Sequence, residues 1–82
     1  MINVELTETV KNKARKLHII RKLEKQVKFL QVDPRHPSLR FKRYMQMKDM
    51  DVWKFEIDLN WWGLTIKTAK NTIRVYNIIH HP

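Results

Sequence analysis

The spacing of the apolar residues changes along this 82-residue chain, and that change constrains the fold more than any other feature. Over residues 10 to 30 the apolar side chains recur three or four positions apart, which predicts an amphipathic helix. From residue 52 onward they recur at every second position, which predicts strands with one buried face. A helical segment followed by strands predicts two layers, with the helices packed on one face of a sheet.

The helical segment is expected to form two helices. Thr7 followed by Glu8 has the composition of a helix start. One helix from residue 8 to 31 would be roughly 36 Å long, longer than a domain of this size is wide. We therefore predict a break between Leu17 and Ile19, which gives an αα hairpin. A short strand at Ile2 to Leu6 precedes it, and Pro34 ends the second helix.

Four strands are predicted in the second half of the chain. The first spans Leu39 to Met47, residues 48 to 51 form a polar connection, and a turn at residues 68 to 71 precedes the last strand, Thr72 to Ile79. The alternation assigns these residues to the buried face: Trp53, Phe55, Ile57, Leu59, Trp62, Leu64, Ile66, Ile73, Val75 and Ile79. The opposite face, here called the open face, is assigned Lys54, Glu56, Gly63, Arg74, Tyr76 and His80. The prediction is a single α+β domain, residues 1–82, with the order β-α-α-β-β-β-β.

The charge of the chain predicts a polyanionic partner. The sequence has 17 Lys and Arg against 8 Asp and Glu, a net charge of +9. Residues 9 to 48 contain 13 of those basic residues and 2 of the acidic ones. The alternative is a basic surface that serves only solubility.

The composition also excludes several classes of protein. There is no cysteine, which excludes disulfides, thiolate zinc sites and cysteine nucleophiles. No apolar run approaches the roughly 20 residues that span a bilayer. We expect a soluble, cytoplasmic protein without a membrane span.

Three blocks of the sequence, DPRHPSLRFKR, DVWKFEI and NTIRVYNIIHH, resemble the RelE/ParE superfamily of bacterial toxins, in particular the small members with a DPRHPSLR loop and a terminal HH pair. The resemblance covers nearly the whole chain and implies a RelE-like fold. It also implies the toxin of a type II toxin-antitoxin system, a ribosome-dependent mRNA endonuclease that needs no metal. The implied partners are a cognate antitoxin, the ribosome and mRNA.

The resemblance also implies site residues. Lys54 stands at the family's first strand lysine, and His80 and His81 lie in the segment that supplies late basic residues. With Arg74 they form the predicted catalytic set. The predicted RNA-binding set is Arg35, Arg40, Lys42, Arg43 and Trp61, the tryptophan stacking on a base.

One departure from the family concerns its Tyr-Arg pair on the fourth strand. The pair corresponds here to Trp62-Gly63, the alignment we prefer, or to Trp61-Trp62 when shifted by one. The arginine is absent in both, and Glu56 replaces a second lysine of some members. Three hypotheses follow: an attenuated endonuclease, an inactive homologue that binds RNA or antitoxin, and a ParE-like inhibitor of DNA gyrase. The preferred alignment predicts that Gly63→Arg increases toxicity.

Overall fold

A computed structural model describes residues 1–47 and 50–81 of the chain, and it confirms the predicted order of elements. The amino-terminal strand, the two helices and the four later strands follow one another as the sequence pattern indicates. Their bounds are β1 (Asn3–Leu6), α1 (Glu8–Lys16), α2 (Ile20–Val32), β2 (Lys42–Met47), β3 (Met50–Glu56), β4 (Trp61–Ala69) and β5 (Thr72–His80).

The helical hairpin has the predicted break. Thr7 begins α1, and its hydroxyl oxygen accepts a hydrogen bond from the backbone N–H of Val10 at 3.2 Å. Between the helices His18 adopts the left-handed conformation with φ 59°, which a continuing helix does not allow. The second helix ends at Val32, two residues before Pro34. Among the residues that the structure describes, no helix is long and apolar enough to cross a membrane.

Both helices pack on one face of a five-stranded sheet with the order β1-β5-β4-β3-β2. β1 runs parallel to β5, and the other neighbouring strands are antiparallel. The core between the layers is formed by Val10, Ala14, Ile19, Leu23, Val27, Leu30, Leu39, Phe55, Ile57, Val75 and Ile78. The predicted α+β arrangement of two layers is thus confirmed.

The ends of β2 and β3 differ from the prediction. Pro37–Leu39 is a short 3₁₀ helix that ends in a left-handed Arg40 with φ 46°, so β2 begins only at Lys42. Residues 50 and 51 of the predicted connection belong to β3, while residues 48 and 49 lie outside the described residues. β3 ends at Glu56, because the chain bends over residues 57 to 60. Leu59 in that bend is 83% exposed, and the prediction that it is buried was wrong.

The phase of β4 is the opposite of the predicted one. Lys54 is paired with Leu64, and Phe55 is paired with Gly63. Directly paired residues point to the same face of a sheet, so Trp62 and Leu64 lie on the open face and Gly63 faces the helices. A Cβ atom at Gly63 would lie 2.5 Å from the Phe55 ring. The prediction that Gly63 stands at the position of an open-face arginine was therefore wrong.

The phase of β5 changes within the strand. Its register against β4 shifts between the Leu64–Asn77 and Thr65–Val75 pairs, which leaves Tyr76 as an extra residue. Val75 and Ile78 are consequently both in the core, and Ile79 is paired with Trp62 on the open face. Val75 was predicted correctly, and Ile79 was not.

The helices leave one corner of their own face uncovered. Trp53, predicted to be buried, is 38% exposed there, and its ring centroid lies 5.1 Å from that of Phe41. These rings, with Met50 and Ile73, line a groove of about 610 Å³. The helix face is therefore not apolar core throughout.

Candidate functional site on the open face

The open face is organised around Trp62, which is only 1% exposed although no helix covers it. Three cationic groups lie over its ring: Lys54 Nζ at 4.5 Å from the ring centroid, Lys42 Nζ at 5.6 Å and Arg40 Cζ at 5.9 Å. The His81 ring is stacked on the indole, with centroids 5.0 Å apart and planes 22° from parallel. Trp62 is thus buried beneath polar side chains, and the cations gain cation–π contacts.

The backbone accounts for the position of each cation. Lys42 and Lys54 are directly paired across β2 and β3, so both point to the open face. Arg40 is itself the left-handed residue that ends the 3₁₀ helix, and from there its side chain reaches the open face. Its guanidinium lies 3.4 Å from the carboxylate of Glu56, the residue paired with Trp62. Three basic groups therefore converge near one acidic side chain.

This convergence affects the protonation of Lys54. Burial lowers the pKa of its ammonium group from the ordinary value of 10.5, and the nearby charges of Lys42 and then Arg40 lower it further. Its Nζ also lies 5.0 Å from the ring centroid of Tyr44. A bound anion would relieve the repulsion among these cations, and the lowered pKa makes the ammonium group a better proton donor.

Two tyrosines extend this group of side chains. Tyr44 lies at a register shift of β2, and Tyr76 is the extra residue of β5. Burial raises the pKa of the Tyr76 hydroxyl, and the proximity of Tyr44 raises it further. Tyr76 therefore remains protonated at neutral pH and can donate a hydrogen bond.

The predicted catalytic residues are not all together. Lys54 and His81 both contact Trp62. Arg74 lies on the same face, since it is paired with Ile66, but its side chain forms an ion pair of 3.3 Å with Glu5 of β1. His80 is paired with Trp61, and their ring centroids lie 5.0 Å apart on the helix side of the sheet. The assignment of His80 to the open face was therefore wrong, because the adjacent His81 points there.

The predicted RNA-binding residues separate in the same way. Arg40 and Lys42 belong to the group around Trp62. Arg43 is paired with Trp53 of the opposite face and forms an ion pair of 2.7 Å with Asp51. Arg35 lies in the exposed turn after α2. The basic loop thus sends two of its four cations to the open face site.

Trp61, predicted to stack on a base, packs instead against the core on the helix side. Because only one face of the sheet is covered by helices, one residue of the Trp61-Trp62 doublet was predicted to be exposed. That prediction was wrong, because the long side chains of Arg40, Lys42 and Lys54 cover Trp62 locally.

Three residues of the site were missed by sequence reasoning as functional residues: Tyr44, Trp62 and Tyr76. Both tyrosines lie at register shifts, which no simple alternation pattern reveals. The Trp61-Trp62 doublet was a usable signal, because it placed one indole on each face of the sheet. It could not show which of the two indoles lies on the open face.

No family model matches the sequence, and a search of the curated proteins returns no match. Among solved structures, the chain is similar to a chain in the crystal structure of the archaeal RelE-RelB complex from Pyrococcus horikoshii OT3. The similarity covers 96% of this chain and 93% of the other, with a TM-score of 0.75 and 12% sequence identity. The chain therefore has a RelE-like fold.

Proposed function

We propose that this chain is the toxin of a type II toxin-antitoxin pair and that it cuts mRNA on the translating ribosome in the cytoplasm. The observation that carries the proposal is the convergence of Arg40, Lys42 and Lys54 on a sheet face that no helix covers. A single strand of RNA can reach such a face, and its phosphates are anions that clustered Lys and Arg side chains bind. The fold that the chain shares with a member of a RelE-RelB complex is further support.

The chemistry of RNA cleavage matches the groups present. The 2′-OH attacks the adjacent phosphate, so the site must remove the hydroxyl proton, stabilise a pentacoordinate phosphorane and protonate the leaving 5′ oxygen. We assign the first step to His81, whose imidazole ring is stacked on Trp62 on the open face. The ammonium group of Lys54 protonates the leaving oxygen, for which its lowered pKa suits it. Arg40 and Lys42 stabilise the phosphorane, and we assign no step to Arg74 or His80.

Primer extension on a translated message tests this function. After induction in a bacterial host, we expect new 5′ ends within the translated region, and no such ends when the purified protein is mixed with the same RNA without ribosomes. The Lys54→Ala variant should leave the message intact, whereas Lys70→Ala, in the exposed turn between β4 and β5, should cut like the parent chain.

The other outcomes identify the competing hypotheses. Intact messages together with an SOS response would contradict the proposal and indicate a gyrase inhibitor. Intact messages with normal growth would indicate a catalytically silent homologue, the consequence expected if Trp62 in place of arginine abolishes catalysis.

We further propose that the protein partner is an acidic antitoxin. The net charge of +9 favours a partner of opposite sign, and the similar solved structure is a complex of two proteins. The product of the neighbouring open reading frame should restore growth when it is expressed together with this chain, and the two should copurify. Growth arrest that persists although that product is expressed would contradict this assignment.

A further inference from the structure

Trp62 carries a polar atom whose hydrogen-bonding capacity is unused. Its indole Nε1–H is buried and has no hydrogen-bond partner, the only side-chain nitrogen or oxygen in that state among residues 1–47 and 50–81. Buried donors in folded proteins are nearly always paired with protein, water or ligand. The unpaired donor therefore indicates that something else accepts its hydrogen bond.

The surroundings of this donor select the kind of acceptor. The cations approach the indole from the β2 and β3 side of β4, and His81 approaches it from the β5 side. Among the described residues, Glu56 forms an ion pair with Arg40, and no ion pair is found for Lys42 or Lys54. A neutral acceptor would leave that positive charge uncompensated. An oxyanion would satisfy the donor and the charge together.

We propose that Trp62 is a phosphate-binding residue, whose indole N–H donates a hydrogen bond to an oxygen of an RNA phosphate held by Arg40, Lys42 and Lys54. The indole ring holds the three cations in place before RNA arrives, and the N–H then contributes a donor of its own. This inference rests on the proposed function for its ligand, a phosphodiester of single-stranded RNA. It supplies a phosphate site on a strand that lacks the family's arginine.

The proposal includes a small rearrangement. Because Trp62 is only 1% exposed, a phosphate reaches Nε1 only when a covering side chain moves aside. Arg40 and Lys42 are exposed and on the outer part of the site, so they can swing from the indole onto the phosphate. The cover of Trp62 is thus exchanged for the ligand.

The three indole N–H signals in a nitrogen-15 NMR spectrum of the full chain test this directly. The probe is a short single-stranded RNA with 2′-O-methyl groups, which cannot be cut. The Trp62 signal should move downfield and saturate, while the signal of Trp53, exposed on the opposite face, should stay. Inorganic phosphate is the second probe. An RNA site predicts that the Trp62 signal shifts with RNA and shifts less, or not at all, with inorganic phosphate. An equal shift of the Trp62 signal with both probes contradicts it. RNA binding seen by fluorescence anisotropy with an unmoved Trp62 signal would overturn the proposal, and so would no RNA binding.

Two substitutions separate the N–H from the ring. Trp62→Phe keeps an aromatic ring for the cations but removes the donor, and RNA affinity should fall about 10-fold. Trp62→Leu removes both, and affinity should fall about 100-fold. The matched control Trp53→Phe should change affinity by less than about 2-fold. Affinity of Trp62→Phe equal to that of the parent chain would contradict the proposal, even if Trp62→Leu fails to fold.

These measurements need neither ribosomes nor cleavage, so they fail independently of the proposed function. A responding Trp62 signal with intact messages would leave the phosphate site standing and remove the endonuclease. Cut messages with an unresponsive Trp62 signal would support the endonuclease and remove the phosphate site at Trp62.

Discussion

The two faces of β4 each cover a tryptophan, and they do so by different means. Trp61 packs against the core beneath the helices. Trp62, the next residue, is covered by Arg40, Lys42, Lys54 and His81. The first cover is the hydrophobic core, and the second consists of three cationic side chains and a histidine. Burial alone therefore does not distinguish core from site.

The two faces should also differ in what a substitution damages. On the helix face the packing is close, as the contact between Gly63 and the Phe55 ring shows, so substitutions there should act on stability. On the open face the charged groups of Lys42 and Lys54 are held without a helix above them, so substitutions of these two lysines should act on RNA cleavage and leave the fold intact.

Removal of the Lys54 ammonium group should have the largest effect on the cleavage rate. We expect Lys54→Ala to lower ribosome-dependent cleavage by about 10²- to 10³-fold, because a preorganised charge at a developing anion is lost. The measurement is the initial rate of cleavage in a reconstituted translation reaction, with Lys70→Ala as the matched control. Similar rates for both variants would show that the open face is not the catalytic face.

The adjacent histidines offer the sharpest comparison of the two faces. His81→Ala should lower the cleavage rate by about 10²-fold, the usual contribution of a general acid or base. His80→Ala, on the helix side of the sheet, should change it by less than about 3-fold. The reverse order of effects, in the same assay, would restore the original assignment of His80 to the site.

Gly63→Ala tests the helix face. The new methyl group would collide with the buried Phe55 ring, and we expect the free energy of unfolding to fall by about 1 to 3 kcal/mol. Denaturant unfolding of the single and double variants checks the cause, since Phe55→Leu should reduce the cost of Gly63→Ala. An equal cost in both backgrounds would contradict the packing explanation. Gly63→Arg should unfold the protein rather than increase its toxicity.

The smallest effect concerns protonation. The pKa of Lys54 is lowered in the folded chain, so the folded state holds this proton less tightly than the unfolded state does. Stability contributed by this group should therefore rise with pH between the folded pKa and the ordinary value of 10.5, while its role as proton donor declines. NMR titration of the Lys54 side chain should show the lowered pKa, and Lys42→Met should raise it. An unchanged midpoint in Lys42→Met would contradict the attribution to neighbouring charge.

The sequence predicted the helical layer well and the strands unevenly. The apolar stripe and the length argument located the hairpin break, because helix periodicity over two dozen residues leaves little ambiguity. In β4 both alternating sets contain a tryptophan, and the more apolar set, Trp62, Leu64 and Ile66, lies on the open face. The extra residue Tyr76 then reverses the phase within β5, which no period-two pattern can anticipate.

The candidate site was predicted only in part, because the sequence pattern was clear for some of its strands and not for others. Lys54 lies on a strand whose alternation is unambiguous, and its open-face position was predicted correctly. His81 was assigned to the site from the resemblance alone. Arg40 and Lys42 were identified from the charge of their loop. Trp62 was predicted to lie in the core. The sequence pattern could not show that cations from distant positions in the chain cover it on the open face.

The salt dependence of RNA binding tests most directly whether the open face binds phosphate through its cations. Affinity for a single-stranded RNA that cannot be cut is measured over a series of salt concentrations. Each phosphate that the cations neutralise makes the slope of log affinity against log salt more negative by about 0.7, so the slope should be clearly negative, and Lys42→Ala should make it less steep. Lys70→Ala should leave the slope unchanged. A slope near zero, or one that Lys42→Ala does not alter, would contradict an electropositive open face that binds RNA.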